Sequence, residues 1–148
     1  MRWSLRRFTL TKQVPLTISR GTTAAVEHLL LELEHGGLIG RGETGGFDTG
    51  QRVFSTAQLE QELTGWLPQL EAAGWQEPAD WPALLAPLSA PARCAVDLAL
   101  HDLWGQLLGQ PLWRLWGLDL RGCQPTSVTL GLAPVEKVLE RLSRWRQQ

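Results

Sequence analysis

Asp97 and His101 stand four residues apart, and on a helix that spacing lets a carboxylate and an imidazole share one metal ion. Two ligands do not make a site, so the pair reads as a local hydrogen bond or a surface pair. Asp102, within ALHDLWG, reads as a hydrogen-bond acceptor for backbone at a helix junction. Ser19 and Ser127 lie near no His and acidic residue in a hydrolase-like arrangement, and neither sits in a nucleophile elbow. The glycines between Gly40 and Gly46 suggest a phosphate cradle, but the lysine and the following helix start of a P-loop are missing, which leaves a flexible loop. Cys94 and Cys123 make no disulfide framework and match no metal-pair spacing; both read as small core residues.

Composition limits the partners. The chain has 148 residues, 43% hydrophobic and 20% charged, enough for one domain with a real core. A formal net charge of -1 argues against a nucleic-acid partner, which needs a clustered basic surface to displace counterions. Its basic residues are scattered; Arg6 with Arg7, and Arg141 with Arg144 and Arg146, read as solvated faces. No signal-peptide pattern opens the sequence and no run approaches the roughly 20 apolar residues of a membrane span, so no membrane partner and a soluble, cytoplasmic protein are expected.

The elements that must position any site follow from periodicity. Residues 3–12 read as an irregular strand, and 15–23, rich in Pro, Gly and hydroxyls, as a polar loop. Residues 24–34 alternate, with Leu29, Leu31 and Leu33 on one face and Val26, His28 and Glu32 on the other, as in a half-buried strand. His35-Gly36-Gly37 reverses the chain and LIGRGE returns, completing an antiparallel meander. After a second loop, Ser55 and Gln58 have capping-box spacing at a helix start. Pro68, Pro78, Pro82 and Pro87 are expected to break the chain into short helical pieces. From Ala92 the apolar positions Val96, Ala99, Leu103 and Leu107 keep helical spacing up to Gly109, and PLWRLWG starts a further short helix. Trp104, Trp113 and Trp116 concentrate more apolar area than a small domain readily buries, so this stretch is expected to pack against something else. The end, TSVTLGLAPVEKVLERLSRWRQQ, reads as a strand, a turn and an amphipathic helix.

Two stretches carry a resemblance. APARCAVDLALHDLWGQLLGQPLWRLWG resembles the helix pair of the enolase superfamily in its mandelate racemase and muconate lactonizing branch. With ISRGTT, LELEHGGLIGRGET and TSVTLGL, the chain looks most like a dipeptide epimerase, the subgroup acting on L-Ala-D/L-Glu and related dipeptides. The resemblance implies an α+β fold: an enolase-like capping domain over 1–122, a three-stranded antiparallel meander followed by helices, and over 123–148 the first strand and helix of a truncated (β/α)8 barrel. Such a barrel takes about 250 residues, so an incomplete TIM barrel and an N-terminal portion only are expected.

The implied chemistry is proton abstraction α to a carboxylate by a lysine, with the enediolate held on Mg²⁺ and epimerisation as the outcome. Lys12 and Lys137 match neither base position and no metal ligand of the family has a counterpart, so no catalytic residue, no metal site and no activity of the chain alone are expected. What carries over is a substrate lid, two loops over 15–23 and 43–51. Ile18 and Phe47 would line the pocket, Arg20 would offer a guanidinium fork to an anionic side chain, and Thr129 would stand at the carboxyl end of the barrel strand. A dipeptide would be bound only when a barrel is supplied. The alternatives are an interaction subunit completed by a separately encoded barrel, and a free-standing binding domain.

Overall fold

The computed structural model describes residues 1–146, which divide into two compact units. The larger comprises Met1–Phe8 and Glu27–Arg121; the smaller takes in Thr9–Val26 and the chain from Gly122 onward. Strands β1 (Arg2–Ile18) and β2 (Gly21–His35) contribute to both.

In the larger unit β1, β2 and β3 (Leu38–Gly45) form a sheet in that order, with β2 and β3 antiparallel from His28 opposite Gly45 to His35 opposite Leu38. The reversal is a two-residue turn in which Gly36 and Gly37 have φ of 60° and 79°, the left-handed pair that matches strand twist in a hairpin. Alternation puts Leu29, Leu31 and Leu33 on the covered face, all fully buried.

Helix α1 (Thr56–Ala73) begins at the expected capping box: Gln58 N–H donates to Ser55 Oγ at 3.2 Å, and Ser55 N–H donates to Gln58 Oε1 at 3.0 Å. It buries Leu59, Leu63, Leu67 and Leu70. Pro68 does not break it, contrary to the sequence expectation. The residue lies on the exposed side, where the Thr64 carbonyl it leaves unpaired can bond water, while Leu67 and Leu70 anchor the opposite face.

After the short α2 (Trp81–Leu85), α3 (Ala90–Leu108) crosses the sheet. Glu62 of α1 caps its start, accepting Ser89 N–H at 2.6 Å and Ser89 Oγ–H at 2.7 Å, and so places a negative charge at the positive helix end. Gly109 ends the helix in the left-handed conformation, and α4 (Leu112–Leu115) follows. Ala92, Val96, Ala99 and Leu103 are buried as their spacing predicts; Leu107, expected on the same face, is partly exposed in the last turn. Cys94 is exposed, correcting its reading as a core residue: two residues beyond Ala92, it points about 200° around the helix from the buried row. Cys123 is exposed as well.

The packing of α3 on β3 depends on two glycines of the LIGRGE strand, which the sequence also offered as part of a flexible glycine loop. A Cβ on Gly40 would stand 2.1 Å from Ala99 O, and one on Gly42 1.8 Å from Ala95 O. Both are buried strand positions at which helix backbone meets sheet backbone, and only glycine fits. Between them, Arg41 N–H donates to Asp102 Oδ2 at 2.8 Å. Asp102 therefore does accept from backbone, though from a strand and not a helix junction.

In the smaller unit the expected loop over 15–23 is instead the tip of the β1–β2 hairpin, with a turn at Ser19 and Arg20. Thr17, Ile18, Thr22 and Thr23 favour extended backbone, and Pro15 is tolerated because β1 is an edge strand. The strand expected over 126–132 belongs to no sheet. It meets the edge strand β1 through Leu132 N–H to Thr17 O at 2.7 Å, and no ladder is built on that bond among the described residues. Helix α5 (Val135–Trp145) follows as predicted, with Val135, Leu139, Leu142 and Trp145 exposed along one side.

Candidate functional site

The residues expected to contact substrate fall in both units. In the smaller unit Ile18 is 40% exposed at the end of β1 and Arg20 is exposed in the turn itself, two positions at the tip of a hairpin. Thr17 and Thr22 hold that tip, their hydroxyls 2.9 Å apart. Thr129 is not beside the tip residues in a shared cavity. It lines a pocket of about 360 Å³ with Gln13, Pro15, Arg141, Arg144 and Trp145.

In the larger unit Phe47 is fixed, not loose. Strand β4 (Phe47–Asp48) pairs with β5 (Val53–Phe54), putting the rings of Phe47 and Phe54 5.1 Å apart. The turn between them is tight: Gly50 N–H donates to Asp48 Oδ1 at 2.6 Å and Thr49 N–H to Arg52 O at 3.0 Å. Gly46 N–H donates to Thr56 Oγ1 at 3.1 Å, and that hydroxyl donates to Glu27 O at 3.0 Å, joining the ribbon to the start of α1 and to β2.

Lys12 is exposed on β1, and Lys137 lies 3.1 Å from Glu140, whose carboxyl it holds below the usual carboxylate range through a hydrogen bond and its charge. His101 Nδ1 is 2.9 Å from Asp97 O and 3.4 Å from Asp97 Oδ1, and its ring packs edge-on against Trp81 and Trp116 at 4.8 and 5.3 Å. This is the local pairing the spacing suggested. Trp116 remains half exposed, as the tryptophan-rich stretch predicted. Among the described residues no three His, Cys, Asp or Glu side chains come together to hold a metal ion. The donor set therefore does not fit Mg²⁺. The arrangement can present side chains to a ligand.

The sequence profile described as Mandelate racemase / muconate lactonizing enzyme, N-terminal domain, matches residues 4–117, which hold the meander, both long helices and the LWG end. The chain belongs to that family. Among curated relatives of this family member, the L-Ala-D/L-amino acid epimerase of Maribacter sp. is 29% identical over 144 residues, 96% of this chain and 42% of the relative. The hydrophobic dipeptide epimerase of Roseobacter litoralis is 35% identical over 90% of this chain and 38% of its own length. The dipeptide epimerase of Methylococcus capsulatus, solved with Mg and the dipeptide L-Arg-D-Lys, superposes with a TM-score of 0.82 at 26% identity, covering 99% of this chain and 42% of that one. A substrate-liganded L-Ala-D/L-Glu epimerase from Bacillus subtilis shares the fold at a TM-score of 0.80 and 22% identity, again over 42% of its chain. The family member described here thus spans about two fifths of the length of these relatives, and it carries the enolase-like N-terminal domain, a three-stranded antiparallel sheet followed by helices.

Sequence reasoning passed over the residues around Thr129. Arg141 and Arg144, three apart on α5 with Trp145 beside them, were visible only as a solvated basic face, because nothing local shows that the helix turns this row toward Gln13 and Pro15.

Proposed function

We propose that this chain supplies the substrate lid of a dipeptide-epimerase-like, Mg²⁺-dependent enzyme, with 1–122 as its capping domain and 123–148 as the first strand and helix of its barrel. The parent reaction is proton abstraction α to the carboxylate of a dipeptide, and the bases and metal ligands lie outside these residues. Membership of the family over residues 4–117 carries the reading. The hairpin tip bearing Ile18 and Arg20 is one candidate lid element, with Arg20 taking an anionic side chain, and the ribbon bearing Phe47 is another. The exposed row of Val135, Leu139 and Leu142 on α5 is consistent with further βα units packing there. Two exposed, unpaired cysteines fit a reducing cytoplasm, and no helix among the described residues is long and apolar enough to cross a membrane.

The test is α-proton exchange on L-Ala-L-Glu in deuterated water with Mg²⁺, followed by proton NMR. The chain alone is expected to exchange nothing, and a chimera joining it to the remaining portion of a dipeptide epimerase is expected to exchange. Exchange by the chain alone overturns the reading.

A further inference from the structure

The pocket around Thr129 has a charge pattern that its fold role leaves unexplained. Arg141 Nη1 donates to Leu130 O at 2.8 Å, which pins a half-buried guanidinium at the pocket wall. A carbonyl satisfies one donor but not the charge, and Arg141 forms no ion pair among the described residues. Arg144 opens into the same pocket one turn later, so two like charges share one wall. The nearest carboxylate is shared. Glu140 lies 3.5 Å from Arg144 Nη2 and 3.1 Å from Lys137 Nζ, so one negative charge faces three cations of this helix. Over α5 and its C-cap, Lys137, Arg141, Arg144 and Arg146 outnumber Glu136 and Glu140. The helix C-terminus suits Arg144 by its dipole, yet that field acts along the axis and does not explain why Arg141 is held sideways against Leu130.

The rest of the wall is not charged. Val14, Pro15 and Leu16 of β1 form an apolar strip and Trp145 an aromatic face, around a volume of about 360 Å³. We propose that this pocket binds a carboxylate carried on an apolar or aromatic body, with Arg141 and Arg144 taking the carboxylate and the body lying along Pro15, Leu16 and Trp145. Guanidinium supplies paired donors matched to two carboxylate oxygens, and a flat apolar body replaces water on the strip. Of the residues expected to contact substrate in this unit, Thr129 lines the pocket while Ile18 and Arg20 do not, so the carboxylate site can be tested apart from Arg20.

The test is isothermal titration calorimetry of the full chain with benzoate, its neutral isostere benzamide, and inorganic phosphate. Benzoate is expected to bind with one-to-one stoichiometry, about tenfold or more tighter than benzamide, which lacks the charge, and tighter than phosphate, which lacks the body. Raising the salt concentration is expected to weaken benzoate. Arg144→Gln changes a side chain that is 63% exposed and leaves the fold alone, and it is expected to weaken benzoate about tenfold. Arg141→Gln is expected to do at least as much, with circular dichroism checking that the helices persist. Absence of benzoate binding, equal binding of benzamide or phosphate, or unchanged affinity in Arg144→Gln overturns the proposal.

Discussion

Asp102 Oδ2 accepts a hydrogen bond from Arg41 N–H at 2.8 Å, across sixty-one residues of sequence. The bond lies between the two glycines that let β3 touch α3, and it ties an exposed strand N–H to the helix. Asp102→Ala is expected to cost about 1 kcal/mol, since water can reach the freed N–H. Asp102→Asn should recover part of the loss, since its amide oxygen still accepts. Urea denaturation checks this: the midpoint should fall with the slope unchanged.

Gly42→Ala should be the most damaging small substitution in the sheet. The added Cβ would sit 1.8 Å from Ala95 O, a backbone atom that cannot swing aside, so α3 must move bodily off the sheet. A loss above about 3 kcal/mol is expected, seen as a large drop in melting temperature or as failure to fold. Gly65→Ala, where nothing lies within 4 Å on an exposed helix position, should be neutral or slightly stabilising.

The capping box at α1 predicts a smaller effect. Ser55→Ala removes the acceptor for Gln58 N–H and should lower stability by about 1 kcal/mol. Ser55→Asp should restore it. Thermal melts of the three proteins compare them directly.

Glu140 supplies a pH dependence. Its carboxyl is held below the usual carboxylate range by the hydrogen bond and charge of Lys137, with Arg144 and Arg141 adding to the effect. A group whose folded pKa is depressed contributes its stabilisation above the ordinary carboxylate range and loses it as pH falls through the lower folded value. The ends of α5 should therefore loosen on acidification. Carbon NMR titration of the Glu140 carboxyl should show the depression, and Lys137→Gln should move the titration back up.

The lid reading predicts a specificity change. In a chimera that has regained exchange activity, Arg20→Met should lower kcat/KM for L-Ala-L-Glu by about tenfold or more, because an anionic side chain loses its guanidinium. A dipeptide with an apolar second residue should be affected much less. Equal losses for both substrates would remove Arg20 from the recognition of charge.

The sequence alone determined the parts whose causes are local. Alternation separated Leu29, Leu31 and Leu33 from His28 and Glu32, two adjacent glycines set the hairpin, and Ser55 with Gln58 set the first turn of α1, because each signal lies within a few residues of its effect. The motifs of the long helix pair were enough to reach the family. Tertiary structure decided what depends on distant chain. Gly40 and Gly42 were legible within the LIGRGE strand, but the need for glycine was not, because the helix that excludes a Cβ there is more than fifty residues away. Pro68 is tolerated because burial elsewhere on its helix outweighs one lost bond, and the stretch after Gly122 meets the edge strand β1 at Leu132 without building a ladder on it. Ile18, Arg20, Phe47 and Thr129 came from resemblance, and folding gave each a setting the linear order does not contain: a hairpin turn, an aromatic ribbon, a basic pocket. Periodicity says which face of an element is apolar; only the packed chain says what that face meets.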